Sequence, residues 1–397
     1  MYSKIIGATM IKRTMTAQLL RLAGYFPVVT ILGPRQSGKT TLAKSCFPDY
    51  NYVNLDNQSD RQLAMDDPVA FFELHKAPVI IDEVQRVPQL LNAVQIHADA
   101  QNKNGIFILT GSHQPALHAG ISQSLAGRTG ILKLLPFSIN ELNAAGIKLS
   151  RDEYILNGFL PRLYDKNIPP DVIYSSYYQT YVERDVRQLI NVSNQHAFEV
   201  FVKLLAGRVG QIVSLNSMAG DVGVSSTTLG SWLSVLEASY IIFRLPCYFE
   251  NFGKRQIKSP KIYFTDVGLA AYLLGIENAN QVARDPLFGG LFENLVILEA
   301  LKARYNLGKE PELYYFRDKQ GFEIDLILNQ GRRLLPIEIK GGMTYDFSFA
   351  KDLQRFCKLA NNTFTPAVIY AGDTEPDAQG IKFRNFCNIA NMINNPE

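Results

Sequence analysis

Over the first 150 residues, apolar positions come in short runs separated by amphipathic stretches. Pro27-Val28-Val29-Thr30-Ile31-Leu32 ends at a glycine. Tyr52-Val53-Asn54-Leu55, Pro78-Val79-Ile80-Ile81 and Ile106-Phe107-Ile108-Leu109-Thr110 follow, and Gly130 to Leu135 closes the series. β-Branched residues dominate the first of these runs, as suits a buried parallel strand. Residues 15–24 and Pro88 to Ala98 carry a helical period instead. Strands alternating with helices predict a parallel α/β sheet, forming a domain over residues 1–150.

The pattern then changes. Residues 151–195 read as helix rich in tyrosine and alternating charge (Tyr177, Tyr178, Tyr181, Glu183-Arg184-Asp185, Arg187), a helical connector. Residues 196–275 predict a helix over 198–208, a second from Leu215 to Gly220 capped by Ser214, and a turn at Gly223-Val224-Ser225. A third helix, Ser226 to Ser239, places Leu229, Trp232, Leu233 and Leu236 on one face. The strand-like runs Tyr240 to Leu245 and Lys261 to Thr265 flank the basic stretch Lys254-Arg255-Gln256-Ile257-Lys258. This is the order of a winged-helix domain. Its third helix offers Ser225, Ser226, Thr227 and Thr228 rather than the Arg, Asn or Gln that base readout uses. Phosphate contact by the basic wing and a role in protein interaction both remain open. A third unit, 276–397, follows: a long helix from Asp285-Pro286 to about Tyr305, then strands.

Composition narrows the class. Hydrophobic residues make up 47% and charged residues 19% of the 397, enough to bury sizeable cores. A formal net charge of +3 is too small to argue nucleic-acid binding from bulk charge. Cys46, Cys247, Cys357 and Cys387 form no CxxC pair and have no histidine at metal spacing, which speaks against a disulfide framework or zinc site. Residues 1–16 do not resemble a signal peptide, and no run of 18 apolar residues occurs. The expectation is a cytoplasmic protein without a membrane span.

The chemistry concentrates first where the opening run ends. Gly33-Pro34-Arg35-Gln36-Ser37-Gly38-Lys39-Thr40 fits GxxxxGK[ST] between a predicted strand and a predicted helix. With Thr41 it forms a candidate phosphate cradle: glycines admit close backbone approach, and exposed N–H groups at a helix start attract anions. Lys39 is expected on the β and γ phosphates of ATP, and Thr40 on Mg2+. Val79-Ile80-Ile81-Asp82-Glu83 supplies the acid that such a loop requires, Asp82 for Mg2+ and Glu83 to polarise water. Thr110 and Ser112 end a strand expected between the acid strand and the loop strand. There a small polar residue would sense the γ-phosphate, or the chain simply leaves the sheet.

These residues resemble the AAA-type ATPases of the P-loop class, specifically a large prokaryotic family that joins such a domain to an uncharacterised C-terminal region. Gly33 to Thr41, Ile80-Ile-Asp-Glu-Val-Gln85, Leu109-Thr-Gly-Ser112, Ser124-Leu-Ala-Gly-Arg128, Gly158-Phe-Leu-Pro-Arg-Leu-Tyr164 and Tyr181-Val-Glu-Arg-Asp185 carry the likeness across nearly the whole chain. The resemblance implies an arginine acting on the γ-phosphate in cis or from a second copy of the chain. Arg128 is the candidate, with Arg162 behind it, and a homo-oligomer is a candidate assembly.

The second concentration lies near the C-terminus. Gly321-Phe-Glu323-Ile-Asp325 precedes Pro336-Ile-Glu338-Ile-Lys340 on consecutive predicted strands, and an upstream helix carries Glu293. Glu338 and Lys340, two residues apart, share one face of a strand. This resembles the restriction-endonuclease-like PD-(D/E)XK nucleases, with Ile324 where the motif's proline would stand. The resemblance implies Mg2+ held by Asp325, Glu338 and Glu293, with Glu323 as a spare ligand and Lys340 activating water. Carboxylates suit a hard divalent cation. The functional expectation is an Mg2+-dependent ATPase acting as a switch for a nucleic-acid-directed domain, with DNA a candidate partner. The alternative is a regulatory ATP-binding scaffold whose C-terminal half is inactive and docks partners.

Overall fold

The computed structural model describes residues 10–112, 120–121, 123–186, 194–248, 259–360 and 362–397. The chain divides into two compact units, one comprising Met1–Phe137 with Ala238–Tyr240 and Tyr305–Lys309, the other Ser138–Glu237, Ile241–Arg304 and Glu310–Glu397. Among the described residues no helix is long and apolar enough to cross a membrane.

The first unit is built on five parallel strands: β1 (Val28–Leu32), β2 (Asn51–Asn54), β3 (Val79–Asp82), β4 (Phe107–Gly111) and β5 (Thr129–Lys133). Their order is β2-β3-β4-β1-β5. Side chains alternate across the sheet. Val28, Leu32, Ile81 and Leu109 pack with Phe71, Phe72 and Val94 from helices on one face. Val29, Ile31, Ile80 and Ile108 pack with Leu19 and Leu42 on the other. Burial on both faces is why β1, β3 and β4 read as unbroken apolar runs, while the outer strands β2 and β5 are part-exposed. Each fully buried Val, Leu or Ile contributes roughly 1.5–3 kcal/mol. In a parallel sheet all strands end on one edge, so the turns after β1, β3 and β4 converge there.

The second unit opens with helices, including Arg151–Asn157, Pro161–Lys166 and Pro170–Tyr177, which runs on into a π-helical stretch over Tyr178–Val186. Helices Gln195–Ala206, Leu215–Val222 and Ser226–Ala238 precede an antiparallel pair, β6 (Ile242–Leu245) and β7 (Lys261–Phe264). The expected basic wing, Lys254 to Lys258, lies outside the described residues. A six-stranded sheet follows: β8 (Leu313–Arg317), β9 (Glu323–Gln330), β10 (Arg333–Lys340), β11 (Ala367–Tyr370), β12 (Asp377–Ala378) and β13 (Ile381–Asn385). Its order is β12-β13-β11-β10-β9-β8, antiparallel through β8-β9-β10 and parallel through β10-β11-β13.

The sequence divides residues 151–397 into connector, winged helix and C-terminal domain, whereas the structure gathers Ser138–Glu237, Ile241–Arg304 and Glu310–Glu397 into one unit. The reason is polar pairing across the expected boundaries. Asn294 of helix Phe288–Asn306 accepts from the Phe264 N–H at 2.7 Å and donates to the Phe264 carbonyl at 2.9 Å. Asp266 accepts from the Phe159 N–H at 3.0 Å. Tyr315 of β8 receives and returns backbone bonds with Tyr248 and Pro246.

Candidate nucleotide and acidic sites

In the first unit the loop after β1 leads directly into helix Lys39–Cys46. Gly38 caps that helix in the left-handed region, φ 90°, a conformation that glycine adopts without a Cβ penalty. A Cβ on Gly33 would collide with the Leu134 carbonyl of the neighbouring strand exit. The Ser37 hydroxyl donates to the Pro34 carbonyl at 3.0 Å, tightening the turn. Arg13 braces it from outside, donating to the Ser37 carbonyl at 2.7 Å and the Leu135 carbonyl at 2.6 Å.

Lys39 is 5% exposed, and its ammonium donates to the carbonyls of Gly33 and Pro34 at 3.1 and 2.7 Å. Burial lowers its pKa to about 8, against the opposing pull of Glu83 and Asp82. Asp82, 4% exposed, is held by donors from four directions. Thr40 and Tyr52 hydroxyls both donate to Oδ2 at 2.9 Å, while the Thr110 hydroxyl and the Glu83 N–H donate to Oδ1. Glu83 itself is left-handed at φ 56°, and the Gln85 amide donates to its carboxylate. The buried Ser112 hydroxyl has no hydrogen-bond partner among the described residues.

Loop, Lys39, Thr40, Asp82, Glu83 and Thr110 are thus brought together at one sheet edge. Tyr52, Gln85 and Arg13 join them without having been foreseen. Gln85 stands inside the quoted motif, and only its spacing from Glu83 hinted at a role. Tyr52 and Arg13 carry no local signal, because contacts over 30 and 24 residues arise from strand order alone.

Arg128 stands apart from that edge. It precedes β5, and its carbonyl accepts from the N–H of Val28 at the start of β1, the edge opposite the loop. Five strand residues span about 16 Å. Its guanidinium instead makes a bidentate pair with Asp99 at 2.6 and 3.0 Å. A cis role at its own loop is excluded by this placement. Arg162 is exposed on helix Pro161–Lys166 of the second unit.

In the second unit, Asp325 on β9 and Glu338 on β10 converge. Lys340 reaches Glu338 Oε2 at 2.7 Å and Asp325 Oδ2 at 3.4 Å, and Asp325 also accepts from the Ile339 N–H at 2.8 Å. Burial, then the neighbouring Asp325, push the Glu338 pKa up to about 9. Among the described residues, Glu338 Oε1 is buried without a hydrogen-bond partner.

Glu293 does not join this pair as a shared ligand. Its Oε1 accepts from Lys261 at 2.8 Å and from the Tyr263 hydroxyl at 2.5 Å, and burial lifts its pKa to about 7. Glu323 pairs with Lys261 at 2.5 Å and with Arg317 at 3.2 Å. Among the described residues, no three His, Cys, Asp or Glu side chains stand ready around one ion. Sequence reasoning missed Lys261, which reads locally as the polar start of a strand.

Comparison with known proteins separates the two halves. Residues 25–143 match the family model described as an AAA domain. Residues 149–280 and 288–389 match two models, each described as a domain of unknown function (DUF8612 and DUF4143). An uncharacterised protein of Mycobacterium tuberculosis is 32% identical over 342 residues, 85% of this chain and 75% of that protein. One from Mycobacterium bovis matches to the same extent. An uncharacterised protein of Haemophilus influenzae is 25% identical over 360 residues, covering 81% of this chain and 84% of its own length. Among solved structures, a Walker-type ATPase of Pyrococcus abyssi overlays with TM-score 0.42 at 14% identity, covering 67% of this chain and 96% of that one. AMPPCP-bound DnaA from Aquifex aeolicus overlays with TM-score 0.29 at 16% identity, covering 56% and 85%.

Proposed function

The chain belongs to the same family as the two mycobacterial proteins and carries an AAA domain over residues 25–143, and from that premise we propose that it binds ATP with Mg2+ and hydrolyses it. The observation that carries this reading is Lys39: a buried ammonium inside a glycine turn, donating to loop carbonyls beside the paired Thr40 and Asp82. The residues fit the ligand. Loop N–H groups and the helix start would hold phosphate oxygens, and Lys39 would exchange its carbonyl contacts for them. Thr40 and Asp82 would hold Mg2+, which offsets charge on the transferring phosphoryl group. Glu83, steadied by Gln85, would orient the attacking water and draw off its proton. The test is nucleotide binding by a fluorescent ATP analogue: it is expected in the wild type and lost in Lys39→Ala. Equal binding by both overturns the assignment.

The same proposal extends to the second unit, where ATP turnover would switch a domain directed at nucleic acid. Asp325 and Glu338 meeting on Lys340 support a metal-dependent nuclease-like site. Asp325 and Glu338 would hold the divalent ion, and Lys340 would stabilise charge developing on the phosphate. Incubation with plasmid, linear and single-stranded DNA, with and without ATP, tests it. Cleavage abolished by Asp325→Ala supports the nuclease. An inert wild type under every condition leaves the docking scaffold.

A further inference from the structure

Arg13 stands where the chain enters helix Thr16–Tyr25, its carbonyl accepting from the Thr16 N–H at 3.2 Å. Its sequence neighbours fix its place. Ile11 is buried, and Met15 belongs with Leu19 and Leu134 to the core on one face of the sheet. From there one guanidinium reaches two backbone segments. Nη1 donates to the Ser37 carbonyl at 2.7 Å, within the phosphate loop. Nη2 donates to the Leu135 carbonyl at 2.6 Å and to the Pro136 carbonyl at 3.4 Å, in the exit from β5. The guanidinium carbon lies 5.0 Å from the Phe137 ring centre. A planar fork with fixed N–H directions holds two acceptors at a set separation, which an ammonium on a flexible stem does not.

The first contact bears on phosphate binding. In a trans peptide the C=O and the N–H of one plane point in opposite directions. The Ser37 carbonyl shares its plane with the Gly38 N–H, and that peptide is trans. Arg13 on the carbonyl therefore turns the Gly38 N–H away from itself, at the start of helix Lys39–Cys46, where N–H groups attract anions. The second contact ties the loop to the strand exit. Loop and exit already abut at Gly33, where a Cβ would collide with the Leu134 carbonyl, and Arg13 bridges them again at Ser37. Coupling needs an element with two arrangements, and the loop supplies one. Lys39 and the Ser37 hydroxyl spend their donors on the Gly33 and Pro34 carbonyls. Phosphate would draw Lys39 off those carbonyls and pull the loop N–H groups inward, rotating the peptide planes whose carbonyls face outward.

We propose that Arg13 is a positioning residue of the phosphate loop: it aims the Gly38 N–H from behind and passes the filling of the loop to the exit at residues 135–137. The proposal rests on the nucleotide reading of residues 33–41. A signal at the exit has a receiver in the chain itself, because Ser138 follows directly and opens the capping box of helix Ile139–Ala144, the first helix of the second unit.

The experiment uses the full chain. Affinity for a fluorescent ATP analogue is measured, and hydrogen–deuterium exchange is followed over residues 33–41 and 134–144, with and without a saturating non-hydrolysable ATP analogue. In the wild type both segments are expected to gain protection with the analogue. Arg13→Met is expected to bind about 10-fold more weakly, as suits the loss of a charge-assisted hydrogen bond. Once saturated, it should protect residues 33–41 while residues 134–144 no longer respond. Arg13→Lys is expected to recover affinity to within about 3-fold of the wild type, since an ammonium still holds the Ser37 carbonyl, but not the response at 134–144, which needs both arms of the fork. A merely structural brace behaves differently: its loss speeds exchange at 134–144 in both states and leaves the response to the analogue intact. That result in Arg13→Met overturns the proposal, as does wild-type affinity in Arg13→Met. If Arg13→Met does not fold, the other two proteins decide: no response at 134–144 in the wild type, or a full response in Arg13→Lys, overturns it. Absence of protection over residues 33–41 in the wild type is the separate result that removes the nucleotide reading, and this proposal with it.

Discussion

Asp82 is held by Thr40, Tyr52, Thr110 and the Glu83 N–H, and each side chain can be removed while its shape is nearly kept. Thr110→Val deletes one donor to a buried carboxylate. It is expected to leave ATP affinity unchanged and lower kcat by about 10-fold, since Asp82 and the water-orienting Glu83 lose their register. Steady-state kinetics beside equilibrium nucleotide binding separates the two effects; a change in affinity alone contradicts the reading. Glu83→Gln keeps size and polarity but not the base. It should still bind ATP and hydrolyse it about 100-fold more slowly or worse. Single-turnover hydrolysis near the wild-type rate would remove Glu83 from the chemistry.

At the scale of elements, helix Val267–Leu273 depends on Asp266. Its carboxylate caps the helix through the Gly268 N–H at 2.9 Å, receives the Tyr174 hydroxyl at 2.6 Å, and holds the Phe159 N–H. Gly158, at φ 61°, lies so close to Tyr174 and Asp266 that any Cβ there would collide with both. Asp266→Ala loses a cap worth about 1 kcal/mol and strands buried donors, for a total near ~3 kcal/mol in urea unfolding. The Asp266 pKa is raised above its ordinary 3.8, chiefly by burial and despite those three hydrogen bonds. A raised carboxyl pKa contributes stability that is fully present below 3.8 and declines as pH rises through the folded-state value. Asp266→Asn lacks this decline, so its stability relative to wild type should improve as pH rises from strongly acidic to neutral. A constant difference across that range contradicts the sign.

For the whole molecule, two expectations follow from where charges sit. Arg128 cannot reach the loop of its own chain, so any part it plays in hydrolysis needs a second copy. If Arg128 acts from a second copy, Arg128→Ala is expected to bind ATP with little turnover, and mixing it with Lys39→Ala protein should restore part of the rate. Full activity of Arg128→Ala alone removes it from the site. A fragment covering 276–397 lacks Lys261 and Tyr263, both bonded to Glu293, and Phe264, bonded to Asn294. It should be markedly less stable than a fragment covering 138–397, by thermal melting of each. Comparable melting of the two fragments contradicts the joint construction of that unit.

Local order was legible in the chain because it depends on local properties. Unbroken β-branched runs announce strands buried on both faces, and GxxxxGKT between such a run and a helix announces a phosphate loop. Asp82-Glu83 and the pair Asp325 and Glu338 were legible for the same reason: each ends or occupies a recognisable strand. Strand order and side-chain reach belong to tertiary structure alone. They placed Tyr52 on Asp82, turned Arg128 to the far edge of the sheet, and fused the expected connector and winged helix with the C-terminal sheet. They also decided what faces the acidic site. Lys261 lies 32 and 62 residues from the glutamates it joins, and no pattern of neighbours encodes a meeting that depends on how β7, helix Phe288–Asn306 and β9 pack. Burial then made that meeting obligatory, since a lysine removed from water must find its carboxylates wherever the fold has put them.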